Sequence, residues 1–211
     1  MPKRVDHAER RTEIAEALLR VAARRGLHAV GMRDVAAEAG VSLRLVQYYF
    51  ETKEKLLLYG LHHLAERFGE RVTARVRAAG HNPGPRAMIE AMLMAALPTD
   101  EESRTFHLVY TSYAVLSVTD QVLAAQPFIT SPDAAESALA GLLRQAEESD
   151  LIQPGVDARL EAVSLLAMSA GLGTSILVGR RSPESAATVL HHHLDRIFRG
   201  NLADAGTRTR E

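Results

Sequence analysis

The sequence predicts an all-α chain with a small three-helix head over residues 1–55 and a larger helical bundle over residues 56–211. Three observations carry this. Apolar residues recur at helical spacing along most of the chain, as in the stripe Leu57, Leu61, Leu64, Phe68, Val72, Val76. Helix stop and start signals punctuate that periodicity at Gly40-Val41-Ser42, Asn82-Pro83-Gly84, Ser131-Pro132 and Ser182-Pro183. No period-two strand pattern, internal repeat or low-complexity tract interrupts it.

The head is the most informative part. Val35, Ala36 and Ala39 precede Gly40 at helical spacing, and Val41, Val46 and Phe50 come after it, so two short helices each have an inward stripe. Gly40 supplies the bend, because a steep turn between helices needs positive φ. Ser42 stands at the N-cap of the second helix. Leu43, Arg44, Gln47 and Tyr49 are then expected to face outward, with Tyr48 beside them and Arg33 and Lys53 on the flanking segments. A solvated face has no use for Leu and two Tyr. A face that reads a major groove uses apolar contact for thymine methyls, Arg for guanine and Gln for adenine. The arrangement predicts a helix-turn-helix with double-stranded DNA as partner.

At these residues the chain resembles the tetracycline-repressor-like (TetR) family of bacterial transcriptional regulators. The resemblance runs from Arg11-Thr12-Glu13-Ile14-Ala15-Glu16-Ala17-Leu18-Leu19 through Arg33-Asp34-Val35-Ala36 and Gly40-Val41-Ser42 to Tyr49-Phe50 and Lys53-Glu54-Lys55-Leu56-Leu57. It implies an operator-binding homodimer, with repression as the family default, whose body holds a small-molecule effector site. Two positions depart from the family pattern: Arg44 replaces a small or flexible residue and Leu45 a small hydroxyl residue. Gln47 also replaces a frequent Tyr. Arg44 therefore becomes an unusual candidate base reader.

Charge agrees once it is divided. The whole chain of 211 residues carries a net charge of −1. Residues 1–55 hold 11 Lys and Arg against 8 Asp and Glu, whereas residues 56–211 hold 14 against 18, so the basic footprint is local to the head. With 46% apolar residues the chain is rich enough for a packed globule. The lack of cysteine excludes disulfides and thiolate metal sites and fits a reducing cytoplasm. No apolar stretch comes after Met1-Pro2-Lys3-Arg4, so no secretory signal is expected, and the localisation expected is cytoplasmic.

In the body, a long helix from about Lys53 to Ala79 is expected to join head and bundle. Pro85 opens a helix with Met88, Ile89, Met92, Leu93 and Ala96 on its apolar side. Thr99 and Glu102 form the expected capping box of the next, which carries Phe106, Val109, Tyr110 and Tyr113. Ser131-Pro132 starts a helix striped by Ala135, Leu139, Leu142 and Ala146, and Ser182-Pro183 one striped by Leu190, Leu194 and Ile197. Between them, Ala162 to Gly179 is an uncharged run of membrane-span length, read as a soluble helix covered on more than one side.

A second subunit is the economical cover for that helix, which places Leu160, Val163, Leu177, Leu190, Leu194 and Ile197 in a two-fold dimer interface. Met88, Met92, Phe106, Tyr110, Tyr113, Phe128 and Met168 are the candidate walls of a cavity for an apolar or amphipathic effector. His62-His63 and His191-His192-His193 lack the i, i+3 or i, i+4 spacing of helical ligand pairs, so no metal is expected. No cofactor is expected either. The sequence has no Gly-x-Ser-x-Gly, Walker-type phosphate loop, His-Glu-x-x-His or dinucleotide turn, which argues against an enzyme. The rival readings are a non-enzymatic helical adaptor that binds a protein partner and a small helical-bundle enzyme.

Overall fold

The computed structural model describes residues 7–125 and 132–199. The elements in chain order are α1 (His7–Arg25), a 3-10 turn (Leu27–Ala29), α2 (Met32–Glu38), α3 (Leu43–Phe50), α4 (Lys53–Ala78), α5 (Pro85–Ala96), α6 (Glu101–Ser117), α7 (Gln121–Ala124), α8 (Pro132–Glu148), α9 (Ala158–Leu177) and α10 (Pro183–Ile197). Among the described residues the only extended pairing is an isolated bridge between Ile152 and Phe198. Phe128, Ser131 and the tail from Asn201 lie outside the described residues.

The chain divides into two compact units, Met1–Thr73 with Ala95–Asp133, and Ala74–Met94 with Ala134–Glu211. In the first, α1, α2 and α3 share their core with α4 and α6: Ile14, Leu18, Val35, Val46, Phe50, Leu56, Leu61, Val109 and Tyr113 belong to one buried cluster. Gly60 of α4 marks the closest approach. A Cβ there would stand 2.3 Å from Leu18 Cδ2 and 3.1 Å from the Tyr113 hydroxyl oxygen, so the absence of a side chain lets α1 and α6 meet α4 at this point. The Tyr113 hydroxyl donates to the Leu57 carbonyl at 2.7 Å. Burial raises its pKa, as expected for a phenol kept neutral among apolar side chains.

α6 begins one residue later than its sequence signal predicts. Asp100, not Thr99, is the N-cap, accepting from the Ser103 N–H at 2.8 Å, and Ser103 Oγ accepts from the Asp100 N–H at 3.1 Å. Glu102 is drawn instead into ion pairs with Arg67 and Arg71, and Asp100 completes its own cap by accepting from Arg71 at 2.5 Å. Burial pushes the Asp100 carboxyl up, but the Ser103 hydrogen bonds and the Arg71 charge outweigh it and hold the pKa at about 2.

In the second unit, Leu139, Leu143 and Ala146 of α8, Leu165, Leu172 and Ile176 of α9, and Leu190, Leu194 and Ile197 of α10 are buried. Leu143 rather than Leu142 completes the α8 stripe. Ser182 caps α10 by accepting from the Ser185 N–H at 3.2 Å, with Pro183 at the first helical position as the sequence predicts. Gly179, at φ 72°, closes α9 with the Arg180 N–H donating to the Ser175 carbonyl at 2.9 Å. α9 has the length and apolarity of a membrane span, at mean hydropathy 1.5. Within one protomer it buries one side only; Leu160, Val163, Ser164, Ala167, Ala170, Gly171, Thr174 and Val178 form an exposed stripe at helical spacing.

Candidate nucleic-acid interface

The turn between α2 and α3 is built as the sequence implies. Gly40 takes φ 66°. The Val41 N–H then donates to the Ala36 carbonyl at 3.0 Å and the Gly40 N–H to the Ala37 carbonyl at 3.2 Å, the paired bonds of a Schellman ending. A Cβ at Gly40 would meet nothing within 4 Å, so the glycine is required by backbone angle and not by space. Ser42 Oγ accepts from the Leu45 N–H at 3.2 Å and opens α3.

Val46 and Phe50 point α3 into the core, which leaves Arg44, Gln47 and Tyr48 exposed at i, i+3 and i+4 on one face. Tyr48, 69% exposed, is the most open aromatic on it. Leu43 and Tyr49, expected to face outward, instead pack against the core of the first unit. A step of about 100° per residue carries Tyr49 away from the Arg44–Tyr48 face. The Tyr49 hydroxyl lies 3.1 Å from His7 Nδ1 of α1, and its ring meets that of His7 at a tilt and that of Tyr48 edgewise.

α3 leaves its last turn through a tight reversal. Glu51 has φ 58° and ψ −59°, and the Thr52 N–H donates to the Phe50 carbonyl at 2.5 Å, the pattern of a γ-turn. Such a conformation costs a non-glycine residue about 1–3 kcal/mol. The Lys55 ammonium offsets part of it by pairing with the Glu51 carboxylate at 2.5 Å. Thr52 Oγ1 accepts from the Lys55 N–H at 3.3 Å, which starts α4 and sets Lys53 in its first turn beside the end of α3.

The cations of the head divide into two sets. Arg20 and Arg24 bind Glu38, Arg25 binds Asp34 at 2.6 Å, Arg10 binds Glu13, and Lys55 binds Glu51. Arg11 lies over the rings of Phe50 and Tyr59, 5.3 and 4.7 Å from their centroids, and so ties α1 to the ends of α3 and α4. Among the described residues, Arg33, Arg44 and Lys53 have no salt-bridge partner. These three are the cations that the sequence assigns to DNA, and their charge is not spent internally. The Asp34 and Glu38 carboxyls are held below the usual range, Asp34 chiefly by Arg25 and Glu38 by Arg24 and then Arg20. Both stay anionic and consume the rear cations, which concentrates the remaining positive charge at the α2–α3–α4 edge.

Sequence reasoning missed the supports of this edge: Arg11 over its two rings, the Arg20–Glu38 and Arg25–Asp34 pairs, and the Glu16 carboxylate, which accepts from Arg67 of α4 at 2.8 Å and lies 2.7 Å from His63 Nε2. Such pairs cross from one helix to another, and single-helix periodicity carries no signal for them.

Of the expected cavity walls, Met88, Met92 and Met168 are half-buried in the second unit, while Phe106, Tyr110 and Tyr113 belong to the first. Of the expected dimer residues, Leu160 and Val163 are exposed and Leu177 is half-buried. Leu190, Leu194 and Ile197 are a correction: at 0%, 0% and 3% exposure they are consumed by the protomer's own core and have no surface left for a partner. Of the histidines singled out in the sequence, His191 pairs with Glu90 at 3.0 Å and His193 with Glu161 at 2.5 Å. Among the described residues no group of three His, Asp or Glu is arranged to hold a metal ion.

A glycine-hinged helix pair with one helix showing unpaired Arg, amide and phenol groups defines a helix-turn-helix protein that binds DNA. Residues 14–59 match the pattern of bacterial regulatory proteins of the tetR family, and residues 85–199 match the C-terminal pattern of BetI-type transcriptional repressors. The chain belongs to the TetR family and is a DNA-binding transcriptional regulator.

It is 30% identical over 200 residues to the HTH-type transcriptional regulator PksA of Bacillus subtilis, covering 93% of this chain and 94% of that one. It is 37% identical over 93 residues to the HTH-type transcriptional regulator BetI of Brucella anthropi, 44% of this chain and 46% of the relative. Among solved structures, a TetR-family regulator from Rhodococcus sp. superposes with TM-score 0.74 at 26% identity, covering 89% of this chain and 97% of that one. A regulator from Saccharomonospora viridis, solved in complex with choline, shares the fold with TM-score 0.79 at 24% identity over 90% of this chain and 98% of that one.

Proposed function

We propose that this protein is a repressor that binds a pseudo-palindromic operator as a homodimer and is released by a small apolar or amphipathic effector. The observation that carries the operator reading is the face of Arg44, Gln47 and Tyr48, flanked by Arg33 and Lys53 with their charge unspent. Arg44 and Gln47 read base edges, Tyr48 adds contact in the groove, and Arg33, Ser42 and Lys53 hold phosphates. Leu43 and Tyr49 act from behind, packing the reading helix in place.

Two copies pair through the exposed stripe of α9. Leu160 and Val163 supply apolar contact, and Ala167, Ala170 and Gly171 permit close approach of helices. One recognition helix contacts too few base pairs for specificity, and a dimer reading half-sites about 34–36 Å apart doubles the contact. Within the second unit, Met88, Met92 and Met168 are the proposed effector contacts. The S. viridis relative holds choline, which supports the compatibility of this fold with a small-molecule ligand.

The test is selection of bound duplexes from a random pool, then a salt titration of the selected operator. Steep loss of affinity with rising salt and a two-fold symmetric consensus are expected. A salt-insensitive association with a protein, and no retained duplex, would overturn the reading in favour of an adaptor.

A further inference from the structure

Within the first unit, α1, α4 and α6 enclose a cleft of about 340 Å³, a volume at the lower end of the range for small-molecule sites. Its apolar surface comes from Leu19, Leu64, Phe68 and Phe106. The rings of Phe68 and Phe106 are parallel, with centroids 4.4 Å apart and planes 10° from each other. Tyr110 continues the column at 5.8 Å and 7°.

Of the charges in the walls, all but Glu101 are already matched. Arg67 binds both oxygens of Glu16, at 2.8 and 2.9 Å, and also reaches Glu102; Arg71 binds Asp100 and Glu102; Arg20 binds Glu38. An anion entering the cleft must break one of these pairs to gain a partner, and its desolvation is not repaid. Two polar groups remain at the rim. The exposed Glu101 carboxylate has no salt-bridge partner among the described residues, and the Thr105 hydroxyl is one turn further along the same face of α6. A carboxylate accepts from an O–H donor, and a column of parallel rings accepts a further flat ring.

We propose that this cleft binds a flat aromatic molecule of about two or three fused rings that carries a hydroxyl donor and no anionic group, its ring against the Phe68–Phe106 pair and its hydroxyl at Glu101. The site stands apart from the effector reading above, which rests on Met88, Met92 and Met168 of the second unit, and its occupancy is measured without DNA. Its ligand would touch Leu19 of the head's first helix together with α4 and α6.

The experiment titrates 2-naphthol into the full-length protein by calorimetry, with 2-naphthoate as the anionic counterpart. Saturable one-site binding of 2-naphthol is expected, with 2-naphthoate weaker by about tenfold or more. Thr105→Trp, which fills the cleft from its rim, and Phe68→Leu, which removes the ring but keeps an apolar side chain, should each weaken 2-naphthol by about tenfold. Thermal midpoint and DNA affinity of Thr105→Trp should stay at the wild-type values, and Phe68→Leu decides if that variant fails to fold. Absence of saturable binding, tighter binding of 2-naphthoate, or unchanged affinity in both variants would each overturn the proposal.

Discussion

α3 and α10 have the same design in sequence, a short amphipathic helix with one strong apolar stripe, yet they yield to sequence reasoning very differently. In α3, periodicity assigns Val46 and Phe50 to the core and leaves the opposite face for function; both side chains are buried in the structure. In α10, the same reasoning assigns Leu190, Leu194 and Ile197 to a partner subunit, but the protomer's own core takes all of them. The difference teaches a rule of precedence. A strong stripe is buried first by its own chain, because intrachain contacts carry no association entropy, and a partner receives the remainder. On that rule the surface left for pairing in the second unit is the weaker stripe of α9, not the strong one of α10.

Substitutions in these helices and their supports put the rule at risk. The largest effect is expected from Leu194→Asp. An unpaired carboxylate at a fully buried position should cost more than about 4 kcal/mol and unfold the second unit, whereas Leu160→Asp, 66% exposed, should leave the fold intact and yield a monomer with weakened operator binding. A folded, monomeric Leu194→Asp protein in sedimentation and circular dichroism would restore α10 to the interface.

Gly60→Ala comes next. The added methyl meets Leu18, which is fully buried and has little room to withdraw. Overpacking should lower stability by about 1–3 kcal/mol, less the roughly 1 kcal/mol that alanine returns in helix propensity. A denaturation midpoint equal to or above wild type would show that α1 yields at no cost.

On the α3 side, Arg44→Ala or Gln47→Ala should cost about 1–3 kcal/mol of operator binding and relax preference at one or two positions, with no change in stability. Lys53→Ala should instead weaken all sequences alike and reduce the salt slope by about one. Unchanged affinity and preference in Arg44→Ala would remove it as a base reader. Tyr49→Phe, which deletes only the contact to His7, should change operator affinity far less than Tyr48→Ala.

The smallest effect concerns pH. The Asp100 pKa falls on folding from its ordinary 3.8 to about 2. The group therefore stabilises the native state above its ordinary pKa, and that contribution is lost as pH drops from about 4 towards 2. Asp100→Asn should lower stability at neutral pH and flatten this part of the acid limb. An acid limb identical to wild type would mean that the Arg71 and Ser103 contacts contribute nothing measurable to folding.

Much of the fold is legible in the sequence because it depends on local rules. Periodicity locates the helices, Pro183 and Ser182 open α10, and Gly40 marks a turn that only positive φ allows. The reading face is legible in part. Arg33, Arg44, Gln47 and Lys53 stand out as polar groups outside the stripe, but Leu43 and Tyr49 turn inward against expectation, since their neighbours in the head decide their burial. The α6 cap moves from Thr99 to Asp100 for a similar reason, Arg71 of α4 being a partner that no local motif contains.

Residues close together in the chain were enough to dictate an all-helical protein, a hinge at Gly40, and a recognition helix whose composition points to DNA. Which stripe meets which was settled only when the helices packed. Packing sent the α10 stripe inward, left one side of α9 open and closed α1 and α6 on the missing side chain of Gly60. It also committed Arg20, Arg24 and Arg25 to Glu38 and Asp34, while Arg33, Arg44 and Lys53 stayed without an ion-pair partner among the described residues. Periodicity fixes the direction of a side chain about its own helix axis, but burial and ion pairing depend on residues far away in the chain, whose positions are set by the assembled core.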